Sequence, residues 1–567
     1  MSRSSRLGPE YRADAWRRLD DGRFDVLVIG GGVTGAGTAL DAVTRGLSTA
    51  LVEARDFACG TSSRSSKLFH GGLRYLEQLN FGLVREALTE RDLMLTTIAP
   101  HLVKPVSFLY PLRRRIVERP YVGAGLVLYD TMGGSHALPR HRHLTRTGAR
   151  ALCPALRPDT LVGAVRYWDA TTDDARHTLT TIRTAAHHGA VVRNSTEVAE
   201  LIREGGRVIG ARLRDAETGR TATVYARVVI NCTGVWTDDI QALTDSRGRF
   251  RVRASKGVHI LVSRDRIASE TGLILRTEKS VLFVIPWDDH WLIGTTDTDW
   301  NLDKAHPAAS QGDIDYLLDR VNAVLAAPLS HDDVVGVYAG LRPLLAGESE
   351  DTSQLSREHA VARPQPGLIS VAGGKYTTYR VMAADAVDAA AADLDERVPP
   401  SVTERVPLLG ADGYHAAVNQ AERIAAEHRL PAWRARLLLD RYGTLIDEVL
   451  APGADDPTLL DSLPGADRYL KAEIRYGATH EAATHLGDVL TRRTRVCLDV
   501  AHRGTDSAKA AAELLAEPLG WDAERIDTEV RLYHARVAAE RDAEQQTDDR
   551  TADTARLAAR DTRAVRA

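Results

Sequence analysis

The alternation of apolar and polar positions divides the chain before any residue is given a role. Residues 25–30, DVLVIG, run apolar with hardly a break, as a strand buried on both faces requires. Glycines follow; then GAGTALDAVTRG carries its apolar positions at helical spacing, and LSTALVEA is a second buried strand. From Asp173 the periods alternate again, with a helix in DDARHTLTTIRTAAHHG and strands in AVVRNSTEVAELIRE, GRVIGARLRD and YARVVINCTG. Val252 to Thr298 is dense in short strands (VHILVS, VLFVIPW, WLIGTTD), predicting an antiparallel layer, and LISVAGG precedes a helix starting near Thr378. Beyond about Pro400 the spacing is helical and glycine motifs stop. These shifts predict an N-terminal extension over 1–23, an α/β region over 24–400, a helical domain over 401–545 and a frayed or disordered tail over 546–567.

A chain of 567 residues with 44% hydrophobic content fills more than one core. Its formal net charge of −4 offers no general attraction to nucleic acid, so an anionic ligand needs a local basic site. Cys59, Cys153, Cys232 and Cys497 are far apart with no CxxC pair, which points away from zinc and disulfides and toward a reducing compartment. His480 and His485 miss the shared helix face of an i,i+4 ligand pair, so no metal is expected. The opening residues lack the apolar run of a signal peptide, and no segment reaches the roughly 18 apolar residues of a membrane span. A soluble or surface-bound chain is expected.

Gly30, Gly32 and Gly35 fit GxGxxG between the first strand and helix. The first glycine allows the turn, the second lets backbone approach a pyrophosphate, and the third lets helix and strand pack closely. The helix N-terminus then faces the phosphates. Glu53 ends the second strand 18 residues past Gly35, where a carboxylate can accept from a ribose hydroxyl. A bound dinucleotide is therefore expected. The polar loop that follows, ACGTSSRSSKLFHGGLRYLEQLNFGLVREALTERD, favours FAD, because a plain NAD domain has a crossover helix there. Ser62, Ser65, Ser66 and Lys67 supply donors, Gly71 and Gly72 leave room for a ring plane, and Gly234, Gly373 and Gly374 offer further close approaches.

The motifs GGGVTGAG, TSSRSSKLFHGGLRYLE, VINCTGVW, KGVHI, VLFVIPW, IGTTDT, YAGLRPLL and GGKYTTYR occur in that order, and RYGATHEAATHLGDVLTRRTR follows in the helical part. Together they resemble the FAD-dependent glycerol-3-phosphate dehydrogenases, within the D-amino-acid-oxidase-like flavoproteins. The resemblance implies a Rossmann-like FAD-binding domain with an inserted antiparallel β substrate domain and a C-terminal helical domain. It implies hydride transfer from C2 of sn-glycerol 3-phosphate to flavin N5, giving dihydroxyacetone phosphate, with electrons passed to a membrane quinone. Phe69, Tyr376 and Cys232 depart from the family pattern of an aliphatic residue, Leu and Ala; none of them removes a charge or a glycine.

Such a substrate needs cations for its phosphate, an acceptor for its hydroxyl proton, and C2 held against the flavin. Arg74, Arg342 and Lys375, remote in sequence, are expected to converge as the phosphate clamp, with Arg342 also able to stabilise the alkoxide. Tyr75 adds a hydroxyl, and His259 is the candidate base because its ordinary pKa lies near neutrality. His70 is placed near the flavin, and Lys256 is a weaker polar candidate. Arg113, Arg114, Arg115 and Arg119 precede the apolar stretch Tyr121 to Tyr129, which suits peripheral attachment on the cytoplasmic face of an anionic membrane; a solvated loop before a core segment is the alternative. An amine or amino-acid oxidase of the same fold and a flavin-binding scaffold without turnover stay open. So do oxygen as acceptor, covalent FAD and a homodimer.

Overall fold

The computed structural model describes residues 5–72, 80–113, 118–132, 137–244, 251–277, 281–346, 358–394 and 397–563. In chain order, the strands that frame the site are β1 (Gly22–Ile29), β2 (Thr49–Val52), β3 (Val191–Arg193), β4 (Thr221–Asn231), β5 (Val252–Ser263), β6 (His290–Gly294), β7 (Val334–Leu345), β8 (His359–Gln365) and β9 (Leu368–Gly373). The helices used below are α1 (Pro9–Leu19), α2 (Val33–Thr44), α3 (Glu118–Met132), α4 (Asp174–His187), α5 (Tyr379–Ala391), α6 (Ala523–Glu544) and α7 (Asp549–Leu557).

The first sheet runs β8-β9-β4-β1-β2-β3, with the hairpin Thr196–Glu204/Arg207–Asp215 beside β4. β1 pairs in parallel with β2 and with β4, in register Val26↔Val228. Val26 and Val28 pack toward α2, α4 and α5, while Leu27 and Ile29 face Trp16 and Leu19 of α1 and the hairpin. That two-sided burial is why DVLVIG carries apolar residues on both of its faces. The run AVVRNSTEVAELIRE is two strands, because the chain turns at Ser195 (φ +46°) after β3.

The second sheet has ten strands among the described residues. β5 lies between β6 and β7 in antiparallel pairing, with His259 opposite Gly294 on one side and Tyr338 on the other. The expected antiparallel layer has one parallel pairing, Gly272–Arg276 beside Val103–Leu112. Val258, Ile260 and Val262 bury themselves on one face of β5, so period two turns Gly257 and His259 to the other.

Helices dominate the C-terminal part and pack around cores of their own. Buried ion pairs fasten them to the first sheet's layer: Arg176 of α4 with Glu481, Arg493 with Asp56, and Arg495 with Asp173. The stretch expected to fray instead carries α7. Its N-cap Asp548 accepts from the Arg550 and Thr551 amides at 2.9 and 3.1 Å, and Asp549 pairs with the buried Lys256 ammonium of β5. Composition alone misses this order because the partners of its Asp and Arg residues lie on distant elements. No described helix is long and apolar enough to cross a membrane.

Candidate active site

A cavity of about 800 Å³ takes its lining from both sheets. At the α2 turn, Gly30 has φ +111° and a side chain there would come within 2.7 Å of the Cys232 carbonyl oxygen; at Gly35 it would fall 1.9 Å from the Gly30 oxygen. Neither position accepts a Cβ. Gly32 caps α2 and lines the cavity, and the Val33 amide donates to Ser62 Oγ at 2.8 Å. Glu53 accepts from the amides of Gly31 (2.7 Å) and Arg55 (2.8 Å). Burial raises its pKa against the pull of those donors, and each oxygen keeps a lone pair for a ribose hydroxyl. A helix N-terminus bared by glycine, an acid at the next strand end and this volume fit a dinucleotide.

The loop after β2 places its side chains on both sides. Ser62, Ser65 and Ser66 line the cavity, Ser65 Oγ donating to Asp174 at 2.7 Å. Lys67, expected as a cofactor donor, turns the other way: its ammonium is buried against Asp174 at 2.7 Å, under the rings of Trp287 and Tyr338. A buried ammonium requires a counterion, and the start of α4 supplies it. Gly71 and Gly72 likewise do not line the cavity. Gly71 packs on Leu88 and Tyr129 and donates its amide to the Tyr129 hydroxyl at 2.9 Å. His70, Gly234, Gly373, Gly374 and Lys375 do line it. Arg74 and Tyr75 lie outside the described residues.

Arg342 enters from β7. Its Nη2 donates to Thr295 Oγ1 (3.1 Å) and the Thr296 carbonyl (3.0 Å), and Nη1 lies 3.3 Å from Asp297. A side chain at Gly257 would stand 2.6 Å from Nη2, so that glycine keeps the space. The motif IGTTDT thus orients the arginine, a role the sequence did not reveal. His259 Nε2 meets Ser66 Oγ at 2.9 Å, its ring stacks on Tyr338, and Nδ1 is buried with no hydrogen-bond partner among the described residues. Burial, with Arg342 and Lys67 nearby, holds its pKa well below 6.5, so the ring is neutral at pH 7. Lys256, the weaker candidate, is absent from the cavity lining; it is locked in ion pairs with Asp313 and Asp549.

Residues 25–394 match the family described as FAD dependent oxidoreductase, and residues 401–526 match the C-terminal domain of alpha-glycerophosphate oxidase. Glycerol-3-phosphate dehydrogenase 2 of Mycobacterium bovis is 63% identical over 558 residues, which is 98% of this chain and 95% of that protein. The chain belongs to the FAD-dependent glycerol-3-phosphate dehydrogenases. The human mitochondrial glycerol-3-phosphate dehydrogenase is 35% identical over 570 residues, covering 96% of this chain and 78% of that protein. The Bacillus halodurans glycerol-3-phosphate dehydrogenase, solved complexed with FAD, superposes with a TM-score of 0.78 at 30% identity over 94% of this chain and 98% of its own.

In this dehydrogenase Phe69 and Tyr376 meet edge to face at 5.5 Å, and the Tyr376 hydroxyl donates to the Asp174 carbonyl at 2.7 Å. Cys232 sits beside Thr38, with burial pushing its thiol up to about 12, so it is inert. His480 and His485 serve separate partners: His480 stacks on Tyr476, while His485 bridges Glu217 and Glu529. The lining also includes Arg563, in the stretch expected to fray.

Proposed function

We propose that the dehydrogenase oxidises sn-glycerol 3-phosphate to dihydroxyacetone phosphate in this cavity. The reading is carried by one observation: Arg342, Lys375 and His259, from separate elements, line the same space as Gly30, Gly32 and Glu53. Bound FAD supplies the acceptor for the hydride that leaves C2. Arg342 and Lys375 hold the phosphate dianion, the first through its planar fork of donors and the second as a point charge. Because Thr295, Thr296 and Asp297 already orient Arg342, little ordering remains for substrate binding.

His259 accepts the proton of the C2 hydroxyl. Its ring is neutral, as a base must be, and Ser66 fixes its orientation. The arginine beside it opposes protonation until the phosphate offsets that charge. Substrate therefore raises the basicity of the group that deprotonates it.

The electrons pass to a quinone, with the protein resting on the cytoplasmic face of the membrane. Support comes from α3, where the apolar side chains of Tyr121 and Val127 are 56% and 54% exposed and Ala124 lies between them. Arg113 is exposed nearby, whereas Arg119 turns inward to the Leu144 carbonyl at 2.7 Å and leaves the expected basic edge. Arg114 and Arg115 lie outside the described residues. Anaerobic addition of sn-glycerol 3-phosphate to the FAD-loaded enzyme is expected to bleach the flavin absorbance; a persistent yellow colour overturns the assignment.

A further inference from the structure

We propose that residues 561–563 are part of the cofactor site, closing the adenosine end of the cavity and setting how long FAD stays bound. This rests on the reading that the cavity holds FAD. Arg563 lines it, as do Glu53, Arg55 and Arg214. Glu53, at the end of β2, marks the ribose end.

The guanidinium of Arg563 is held from three directions. Nε donates to Ser195 Oγ at 2.9 Å, Nη1 and Nη2 straddle the Asp488 carboxylate at 2.9 and 2.6 Å, and Nη2 also donates to Thr484 Oγ1 at 2.8 Å. The arginine and aspartate side chains are only 6% and 1% exposed, so a buried two-pronged ion pair fixes the arginine in place. Two residues earlier, Asp561 pairs with Arg55 and His306. Arg55 in turn donates its amide to Glu53 at 2.8 Å. The strap thus grips the Glu53 loop through Arg55 and the turn after β3 through Ser195.

No strand pairing ties residues 558–563 down among the described residues; side-chain ion pairs and hydrogen bonds hold them. Breaking these pairs releases the strap without dismantling either sheet.

The test uses the FAD-loaded enzyme, the full-length variants Arg563→Gln and Arg563→Lys, and a chain ending at Arg560. FAD dissociation is followed by the rise of free-flavin fluorescence after dilution, and unfolding temperature is measured with and without FAD. Losing the charge-assisted bonds is expected to speed dissociation at least about tenfold in Arg563→Gln and in the shortened chain. Arg563→Lys should fall between. The rise in unfolding temperature on adding FAD should shrink in the same order. Unchanged dissociation in Arg563→Gln overturns the proposal, and this variant decides the matter if the shortened chain does not fold. An unaltered enzyme that takes up no FAD refutes the underlying reading instead.

Discussion

With His259 as the proposed base, two requirements oppose each other: the ring must be neutral to accept a proton, yet a pKa far below neutrality makes it a weak acceptor. In the proposed mechanism phosphate binding to Arg342 reconciles them, and this has a pH signature. In the proposed mechanism the uncharged ring is the active form and its pKa lies well below 6.5, so kcat/KM, once divided by the fraction of substrate present as the phosphate dianion, should stay level through neutrality and fall only in acid well below that value. An acid limb near 6.5 that survives this division would contradict it. His259→Gln should lower kcat by about 100-fold or more with little change in KM. Arg342→Gln and Lys375→Met should each lower kcat/KM, mainly through KM, by about 10- to 100-fold, the worth of a charge-assisted hydrogen bond of roughly 1.5–3 kcal/mol. Steady-state kinetics separates these cases. At this scale the kind of chemistry was legible in the sequence, but not the side of the backbone. The serines at 62, 65 and 66 line the cavity while Lys67, one position on, is spent on Asp174. Nothing in the string TSSRSSK distinguishes them, because Lys67 has φ +57°, a local reversal that depends on a partner at residue 174.

Elements whose partners are close in sequence were readable. The β1-α2-β2 unit declares itself through uninterrupted apolar strands and a glycine turn, since both depend on local backbone demands. α7 did not, because its order comes from Lys256, and that of the residues after it from Arg55 and Asp488. The join between the helical part and the first sheet's layer holds a further ion pair with a measurable consequence. His485 is buried between Glu217 at 3.1 Å and Glu529 at 2.9 Å. Burial disfavours its charge, but the two carboxylates prevail and raise its pKa to about 9. The folded value exceeds the unfolded one, so the stabilisation is complete below about pH 6.5 and is lost as pH rises through 9. The thermal unfolding midpoint should therefore drop across that interval, and His485→Gln should remove the drop. An identical pH dependence in the variant would show that the pair contributes nothing.

For the molecule as a whole, α3 makes the attachment to lipid testable. If Tyr121 and Val127 dip into a bilayer, each contributes on the order of 1 kcal/mol of apolar burial, about half the value for a fully exposed side chain because each is already nearly half buried. The enzyme should float with anionic liposomes, and a Tyr121→Glu/Val127→Glu double variant should stay in the soluble fraction with its turnover toward a soluble dye unchanged. Flotation of both proteins, or of neither, would argue against that face. A last consequence follows from the distance along the chain that the strap spans. Arg55 and Asp561 are 506 positions apart, and Ser195 and Arg563 are 368 apart. A ribosome releases the phosphate turn long before the residues that shut its far end, so the early half must persist as an open vessel during translation. Nascent chains stalled before residue 561 should therefore exchange flavin freely, and firm capture should begin only once the late segment has emerged.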